Sequence, residues 1–575
     1  MNEKRVGVRI LITIFFVITP ILCTAQTIRD YNPVNEQRML EPEPENWLMF
    51  RRTYDGWGYS PLAQIDAENV GDLTPVWAFS TGVPEGHQAP PIVNDGVMFI
   101  TTPGAQVYAL DARTGEQLWR YRRQLPFDLM QTHPTNRGVG LYEDKVLVAT
   151  VDAFVVALNA RTGEVEWETA VEDYRRGYYM TLAPLVADGH VMVGVSGGEF
   201  GIRGFVMALD ADTGEISWKT YTIPEPGEFG NDTWPGDSWQ TGGAPVWVTG
   251  TYDPELNLIY VGTSVTSPAP KFMLGGTDLA HLYHNSTLAL NADTGEIDWY
   301  YQHLNDHWDL DHPFERLLVD TAVTPNPAEV SWINPRITPG EQRQVITGIP
   351  GKTGVVYTLD RATGEFLWAT PTIVQNVISD IDGATGAVTE NSEVVFSGLG
   401  QEVLSCPSWI GGKDWEAGAY SPLTNTMYYP LRNTCARVLS TMEGGLSIYR
   451  LAARFQLAPG TDQVGTVQAI SAETGEIVWG YEQRAATLSL ATTGGGLVFG
   501  GDANGRFRAF DQTSGEVLWE INLGSPVTGF PISFAVDGRQ YVVASTGTSS
   551  NFGSLHPELN PSSGNNLFVF ALPDE

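Results

Sequence analysis

An eleven-residue pattern recurs along this 575-residue chain and restricts its fold more than any other feature. It reads small residue, apolar residue, Asp or Asn, two variable positions, Thr-Gly-Glu, two more positions, then Trp. The copies are Ala109-Leu-Asp-Ala-Arg-Thr-Gly-Glu-Gln-Leu-Trp119, Ala157 to Trp167, Ala208 to Trp218, Ala289 to Trp299, Thr358 to Trp368, Ala469 to Trp479 and Ala509 to Trp519. Each reads as strand, tight turn, strand. Apolar alternation before the Asp makes the first strand, and Asp/Asn with a Gly able to take positive φ makes the turn. A Trp at one fixed place per repeat can stack against the backbone of the next repeat and lock the units side by side.

Successive pattern tryptophans lie 48, 51, 81, 69, 111 and 40 residues apart. The shorter intervals match a four-stranded propeller blade of about 40–50 residues. The interval of 111 is long enough for two blades, one without the pattern, which adds one repeat. The last strand, Asn566-Leu-Phe-Val-Phe-Ala-Leu572, is expected beside Val76-Trp77-Ala78-Phe79, so that the ring closes and hides its sheet edges. The fold expected is all-β: one eight-bladed β-propeller with tryptophan-docking repeats over residues 26–575. Residues 220–245 and 264–285, rich in Gly, Pro, Asp and Ser, read as loops over one face.

The chain carries 33 basic and 67 acidic residues, a formal charge of −34. So acidic a surface repels phosphate backbones, which excludes nucleic acid as a partner. Lys4, Arg5 and Arg9 precede an apolar run from Ile10 to Cys23, and Cys23-Thr24-Ala25 offers small residues before a cut at Gln26. Residues 1–25 therefore read as a secretory signal peptide; Leu22 fits poorly with a lipid-attachment role for Cys23. No later segment is apolar enough to span a membrane. Cys406 and Cys435 then remain, and in an oxidising compartment they are expected to pair. A loop of that length contributes roughly 3–4 kcal/mol in the chain-entropy model.

Several stretches lie outside the repeat. They are Asn136-Arg137-Gly138; Thr181-Leu-Ala-Pro-Leu-Val followed by Ser196-Gly197-Gly198-Glu199; Gly242-Gly-Ala-Pro-Val-Trp247; Asn305-Asp-His-Trp-Asp309-Leu-Asp311; Gly351-Lys352-Thr-Gly354; and Cys406-Pro-Ser-Trp-Ile-Gly-Gly-Lys-Asp414-Trp415. Their chemistry is coherent. A hard cation wants carboxylate oxygens, a planar guanidinium suits a carboxylate, and an indole is a large flat partner for a fused ring.

With the repeats, these stretches resemble, in order, the pyrroloquinoline-quinone (PQQ) dehydrogenases, the eight-bladed quinoprotein alcohol dehydrogenase family. The resemblance covers nearly the whole mature chain. It implies that Glu199 ligates a metal seated on the quinone, and that Thr181, Ser196 and Arg137 bind quinone carboxylates. Gly197 and Gly198 then allow backbone to approach the flat ring, Trp247 stacks on it, and Lys352 bonds to its oxygens. Asp309 becomes the base that takes the substrate hydroxyl proton and a metal ligand. Asp311, on the same face two residues on, becomes an additional carboxylate for the cation. Cys406 and Cys435 fit a family disulfide.

Some positions depart from the family. The usual Asn metal ligand falls on Val265, leaving Ser264, Thr266, a backbone carbonyl or Asp311 to replace it. A family Glu at the cofactor edge is Gln88, and a quinone-contacting Asn is Asp414, beside Trp415. The family's adjacent cysteines are Gln131 and Thr132, so another group, with His133 as a candidate, must cover that face. The expected activity is oxidation of an alcohol, polyol or sugar hydroxyl to a carbonyl, using PQQ with calcium or a lanthanide. Electrons would leave to a separate acceptor such as a c-type cytochrome in the periplasm, because no Cys-x-x-Cys-His is present to attach haem. No Gly-x-Gly-x-x-Gly supports nicotinamide use, no His-Glu-x-x-His supports a zinc protease, and nothing fixes a glycosidase geometry. A non-catalytic envelope propeller of the outer-membrane assembly type shares the repeat, but predicts no gathering of acids, Arg, Lys and Trp at one end.

Overall fold

The computed structural model describes residues 27–83, 86–305, 308–442, 450–556 and 558–574. Residues 1–25, which read as a signal peptide, lie outside the described residues. Eight blades, each built on four antiparallel strands, form the body; two gain a fifth strand, Trp332–Ile333 on the outside of one and Tyr59–Ser60, paired in parallel, on the inside of another. Seven run consecutively, beginning at Ile92–Asn94, Gly140–Tyr142, Leu185–Ala187, Thr251–Asp253, Leu317–Val323, Ala419–Ser421 and Thr487–Thr493. The eighth combines the chain's two ends. Ile532–Val536, Arg539–Ser545 and Asn566–Ala571 supply three strands, and Thr74–Ser80 supplies the fourth. In that closure Trp77 stands opposite Val569 and Ala78 opposite Phe568.

The repeat works as its chemistry predicts. In the second blade, Gly163 has φ +75°, and a Cβ placed on it would lie 2.6 Å from Cε3 of Trp119 in the first blade. Trp119 also donates its indole N–H to the Ala160 carbonyl at 2.9 Å. Asn159 Oδ1 receives the amides of Arg161 and Thr162, which shapes the turn. The same Gly-on-Trp approach joins Gly115 to Trp77, Gly214 to Trp167, Gly295 to Trp218, Gly364 to Trp299 and Gly515 to Trp479. Gly163→Ala meets both obstacles at once, a left-handed backbone and an indole face. It is expected to cost about 3 kcal/mol, read by denaturant unfolding; a loss under about 0.5 kcal/mol would contradict the docking role.

One blade assignment needs correction. The interval between Trp368 and Trp479 holds one blade, not two. The remaining residues form an excursion: the hairpin Ile378–Ile381 with Val388–Glu390, and a three-stranded sheet of Glu402–Ser405, Thr434–Ser440 and Leu451–Leu457. The hairpin carries a degenerate copy of the turn, in which Asp382 Oδ1 caps the Ala384 and Thr385 amides. Its Gly386 docks on Phe366 and Tyr301 instead of a Trp. The eighth blade is the closing one, which lacks the pattern because its last two strands are not contiguous in sequence. A disulfide joins Cys406 to Cys435 within the excursion.

The N-terminal stretch Trp47–Ser60 crosses the inner edges of several blades. Its carbonyls at Tyr54, Asp55, Trp57 and Gly58 accept the amides of Tyr252, Leu318, Tyr420 and Thr492. Buried Arg51 reaches the carbonyls of Gly418 and Leu490. Phe50 packs on Phe530, which stacks on Trp415. The strand Ile216–Tyr221 takes the first two residues of the expected loop 220–245; the rest of it and 264–285 carry only short 3-10 turns and isolated bridges.

Candidate active site

Strands alternate in direction within a blade. The approach to the innermost strand and the connection from second to third strand therefore lie at the same end. Gln88, Arg137, Thr181, Trp247, Asp309, Asp311, Asp414 and Trp415 occupy approaches to innermost strands. Ser196, Gly197, Gly198, Glu199, Ser264 and Lys352 occupy second-to-third connections. All of them line one cavity of about 570 Å³. The gathering of these residues is thus a product of the ring.

Arg137 is buried at one wall. It donates to Thr181 Oγ1 at 2.7 Å and to Gln88 Oε1 at 2.9 Å, and its guanidinium carbon lies 4.8 Å from the Trp247 ring centroid. Both hydrogen-bond partners are neutral, and Nε has none. Burial pulls this guanidinium down to about 10. A buried cation with neutral partners and a free N–H is built to receive an anion. Thr181 Oγ1 lies 3.0 Å from Ser196 Oγ, so the two hydroxyls extend the same polar ledge. Trp247 is braced edge-on by Phe314 at 5.6 Å.

The acids stand across the cavity. Lys352 Nζ lies 2.9 Å from Asp309 Oδ1 and 3.3 Å from Asp311 Oδ2. The backbone holds this pairing, because the Lys352 amide donates to the Asp311 carbonyl at 2.8 Å. Burial alone would lower the Lys352 ammonium, but Asp309 and then Asp311 outweigh it and hold it above its ordinary value. Burial pushes the Asp309 carboxyl upward; Lys352 opposes this and Asp311 adds to it. The two directions are compatible, since one ammonium faces two carboxylates. Asp309 keeps 28% of its side chain exposed to the cavity, so a reactant can reach it. Burial likewise raises Glu199, with Asp311 adding to the rise and Lys352 opposing it.

The Val265 question resolves at its neighbour. Val265 is buried away from the cavity and contributes its backbone N–H, 3.2 Å from Asp311 Oδ1. Ser264 lines the cavity and bonds the same carboxylate oxygen through its hydroxyl. Ser267, which motif reading passed over, is turned onto the Gly198 carbonyl beside Glu199. Among the described residues, no three His, Cys, Asp or Glu side chains form a ready cation cage.

Gly197 has φ +114° and a Cβ there would lie 2.1 Å from the Gly177 carbonyl oxygen, so glycine is required; both it and Gly198 line the cavity. Gly194-Val-Ser196-Gly-Gly198 also has the Gly-x-Ser-x-Gly spacing of a hydrolase elbow. Ser196 faces Thr181, however, and no His among the described residues hydrogen-bonds it. Gln131, Thr132 and His133 line the cavity. Tyr179, Phe200 and Trp409 line it too. Tyr179 was accessible to reasoning, since it stands two residues before Thr181 on the same face; Trp409 carried no signal beyond its motif.

Known proteins fit this arrangement. The family model "PQQ: Glucose/ethanol/alcohol dehydrogenase, beta-propeller domain" matches residues 47–375 and 464–542. The chain is 33% identical to quinoprotein alcohol dehydrogenase PedH of Pseudomonas putida, over 89% of this chain and 88% of that protein. It is 31% identical to the quinoprotein ethanol dehydrogenase of Pseudomonas putida, over 92% of this chain and 91% of that protein. Among solved structures, a europium-containing methanol dehydrogenase superposes with a TM-score of 0.85 at 30% identity, covering 93% of this chain and 99% of that one. The repeat, the closed ring and the end-on cavity have a common explanation: this chain belongs to the PQQ-dependent quinoprotein dehydrogenase β-propeller family.

Proposed function

We propose that the chain is an exported PQQ-dependent dehydrogenase that oxidises an alcohol-type CH–OH group to a carbonyl and passes electrons to a separate acceptor such as a c-type cytochrome. Arg137 carries the reading. Its buried guanidinium, with only neutral partners and an unpaired Nε, suits an anionic cofactor lying against Trp247. PQQ, when bound, supplies an ortho-quinone that accepts the two electrons and the carbon-bound hydrogen of the alcohol.

The chain's own groups do the rest. Arg137, Thr181, Ser196 and Gln88 hold the cofactor's carboxylates, and Trp247 and Trp415 bound its rings. Gly197 and Gly198 leave room for it, and Asp414 lies at its edge. Lys352 offers positive charge to a quinone oxygen, where negative charge develops on reduction. Asp309 takes the hydroxyl proton at its carboxylate. Glu199, Asp309 and Asp311 would hold a calcium or lanthanide ion. Export through cleavage after residue 25 would place the enzyme in the periplasm; no helix among the described residues is long and apolar enough to cross a membrane.

Purified protein supplied with PQQ and either metal should reduce an electron-accepting dye in the presence of an alcohol. No response across alcohols, polyols and aldoses with either ion would favour the non-catalytic propeller. Trp247→Ala should lower PQQ retained after dialysis severalfold, because a buried stacking face is worth about 1 kcal/mol or more. Unaltered occupancy would contradict the stacking role.

A further inference from the structure

We propose that Glu315 and Lys413, a buried ion pair behind the cavity wall, are positioning residues: they fix the wall bearing Asp414 and Trp415 against the walls bearing Asp309, Asp311 and Trp247. This deepens the dehydrogenase reading and rests on it. The pair spans two blades. Glu315 lies on the approach to the fifth innermost strand, Leu317–Val323, four residues after Asp311. Lys413 lies on the approach to the sixth, Ala419–Ser421, directly before Asp414 and Trp415. Lys413 Nζ stands 2.8 Å from Glu315 Oε2, with 0% and 4% of the two side chains exposed. Neither is among the residues lining the cavity, so each acts through others.

The pair grips the wall itself. Glu315 Oε2 takes Lys413, and Oε1 accepts the Gly418 amide at 2.7 Å. One carboxylate thus holds segment 413–418 at both ends, with Asp414 and Trp415 between them. Lys413 Nζ also donates to the Asp414 carbonyl at 3.0 Å and lies 4.6 Å from the Phe314 ring centroid. Phe314 is the edge-on brace of Trp247. The neighbouring Gly412 amide donates to the Lys352 carbonyl at 2.8 Å, which ties the Lys352 connection to the same segment.

Stability does not account for such a pair. Two charges taken out of water lose hydration that their attraction only partly restores, and a neutral pair of similar volume is often as stable. Burial pulls the Lys413 ammonium below its ordinary value, with Glu315 opposing. What the ions supply is direction. A carboxylate with each oxygen committed to a donor fixes its partners more narrowly than apolar packing does. A misplacement of about 1 Å at reacting groups can cost roughly 100-fold in rate.

The test compares Lys413→Met/Glu315→Gln, which removes both charges and keeps side-chain length, with Lys413→Arg, which keeps the pair. Lys413→Met alone would leave Glu315 buried without a counter-charge, so the double variant is the one that folds. Three quantities are read: the denaturant midpoint, PQQ affinity from quenching of tryptophan fluorescence without substrate, and kcat and KM at saturating PQQ and metal. The double variant is expected to keep its midpoint, bind PQQ roughly tenfold more weakly and lose roughly 10–100-fold in kcat, with KM for the alcohol within about threefold. Lys413→Arg should keep PQQ affinity and kcat within about threefold of wild type. Wild-type PQQ affinity in the double variant, with kcat within about twofold, would overturn the inference and leave the dehydrogenase reading standing. So would a lowered midpoint with kcat unchanged at saturation, the signature of a pair that only stabilises. Failure of the wild-type protein to bind PQQ would overturn both.

Discussion

Asp309→Asn is expected to leave PQQ bound while kcat falls roughly 10²–10⁴-fold, the range for loss of a general base. The substitution keeps side-chain size but removes the ability to take a proton. Asp309 suits the role by position: its carboxylate is partly open to the cavity, and Lys352 fixes one oxygen at 2.9 Å. The base works ionised, so wild-type activity should rise with pH on the acid side. Burial pushes Asp309 up, while Lys352 and a cation bound beside it pull the other way, so the position of that limb reports which effect wins in the loaded enzyme. The Asn variant should show a flattened acid limb in its residual activity. Because Asp309 is also a proposed metal ligand, bound metal and PQQ must be measured together with rate. Activity within twofold of wild type at full occupancy would show that the base is misassigned.

The metal prediction has the next largest effect. Glu199, Asp309 and Asp311 line one cavity, and Asp311 is already oriented by Ser264 and the Val265 amide. A carboxylate held by two donors is aimed, whereas a free surface acid is not. Each anionic oxygen stabilises a trivalent ion more than a divalent one. A lanthanide is therefore expected to support activity at least as well as calcium. Asp311→Ala should weaken metal binding by roughly 10–100-fold, with the lanthanide losing more than calcium. The measurement titrates each ion into metal-stripped, PQQ-loaded protein, following both activity and the cofactor's absorption. Full recovery with calcium alone, together with an unaffected Asp311→Ala variant, would defeat the extra-carboxylate argument. The quinoprotein family assignment would stand.

The blade architecture is legible in residue order because its causes are local. Turn chemistry at Asp111 and Gly115, strand alternation and a Trp at fixed spacing all act within a dozen residues. Closure by Asn566–Ala571 beside Thr74–Ser80 is legible as well, since two unpaired strands at the chain ends leave few other edges to cover. The 111-residue interval misleads, because length alone cannot separate a blade from an excursion. That choice depends on whether Glu402–Ser405, Thr434–Ser440 and Leu451–Leu457 pair with each other or join the ring, a long-range competition between strand partners.

The site divides in the same way. Motif order and the family resemblance single out Arg137, Glu199, Trp247, Asp309 and Lys352, and these residues line one cavity. Sequence position cannot say that Ser264 faces the cavity while Val265 turns away. A one-residue change of register along a strand end reverses which side chain points inward. Nor could it show that Leu129, Phe200 and Trp409 share a cavity, because they are brought together only when eight blades close around a common axis.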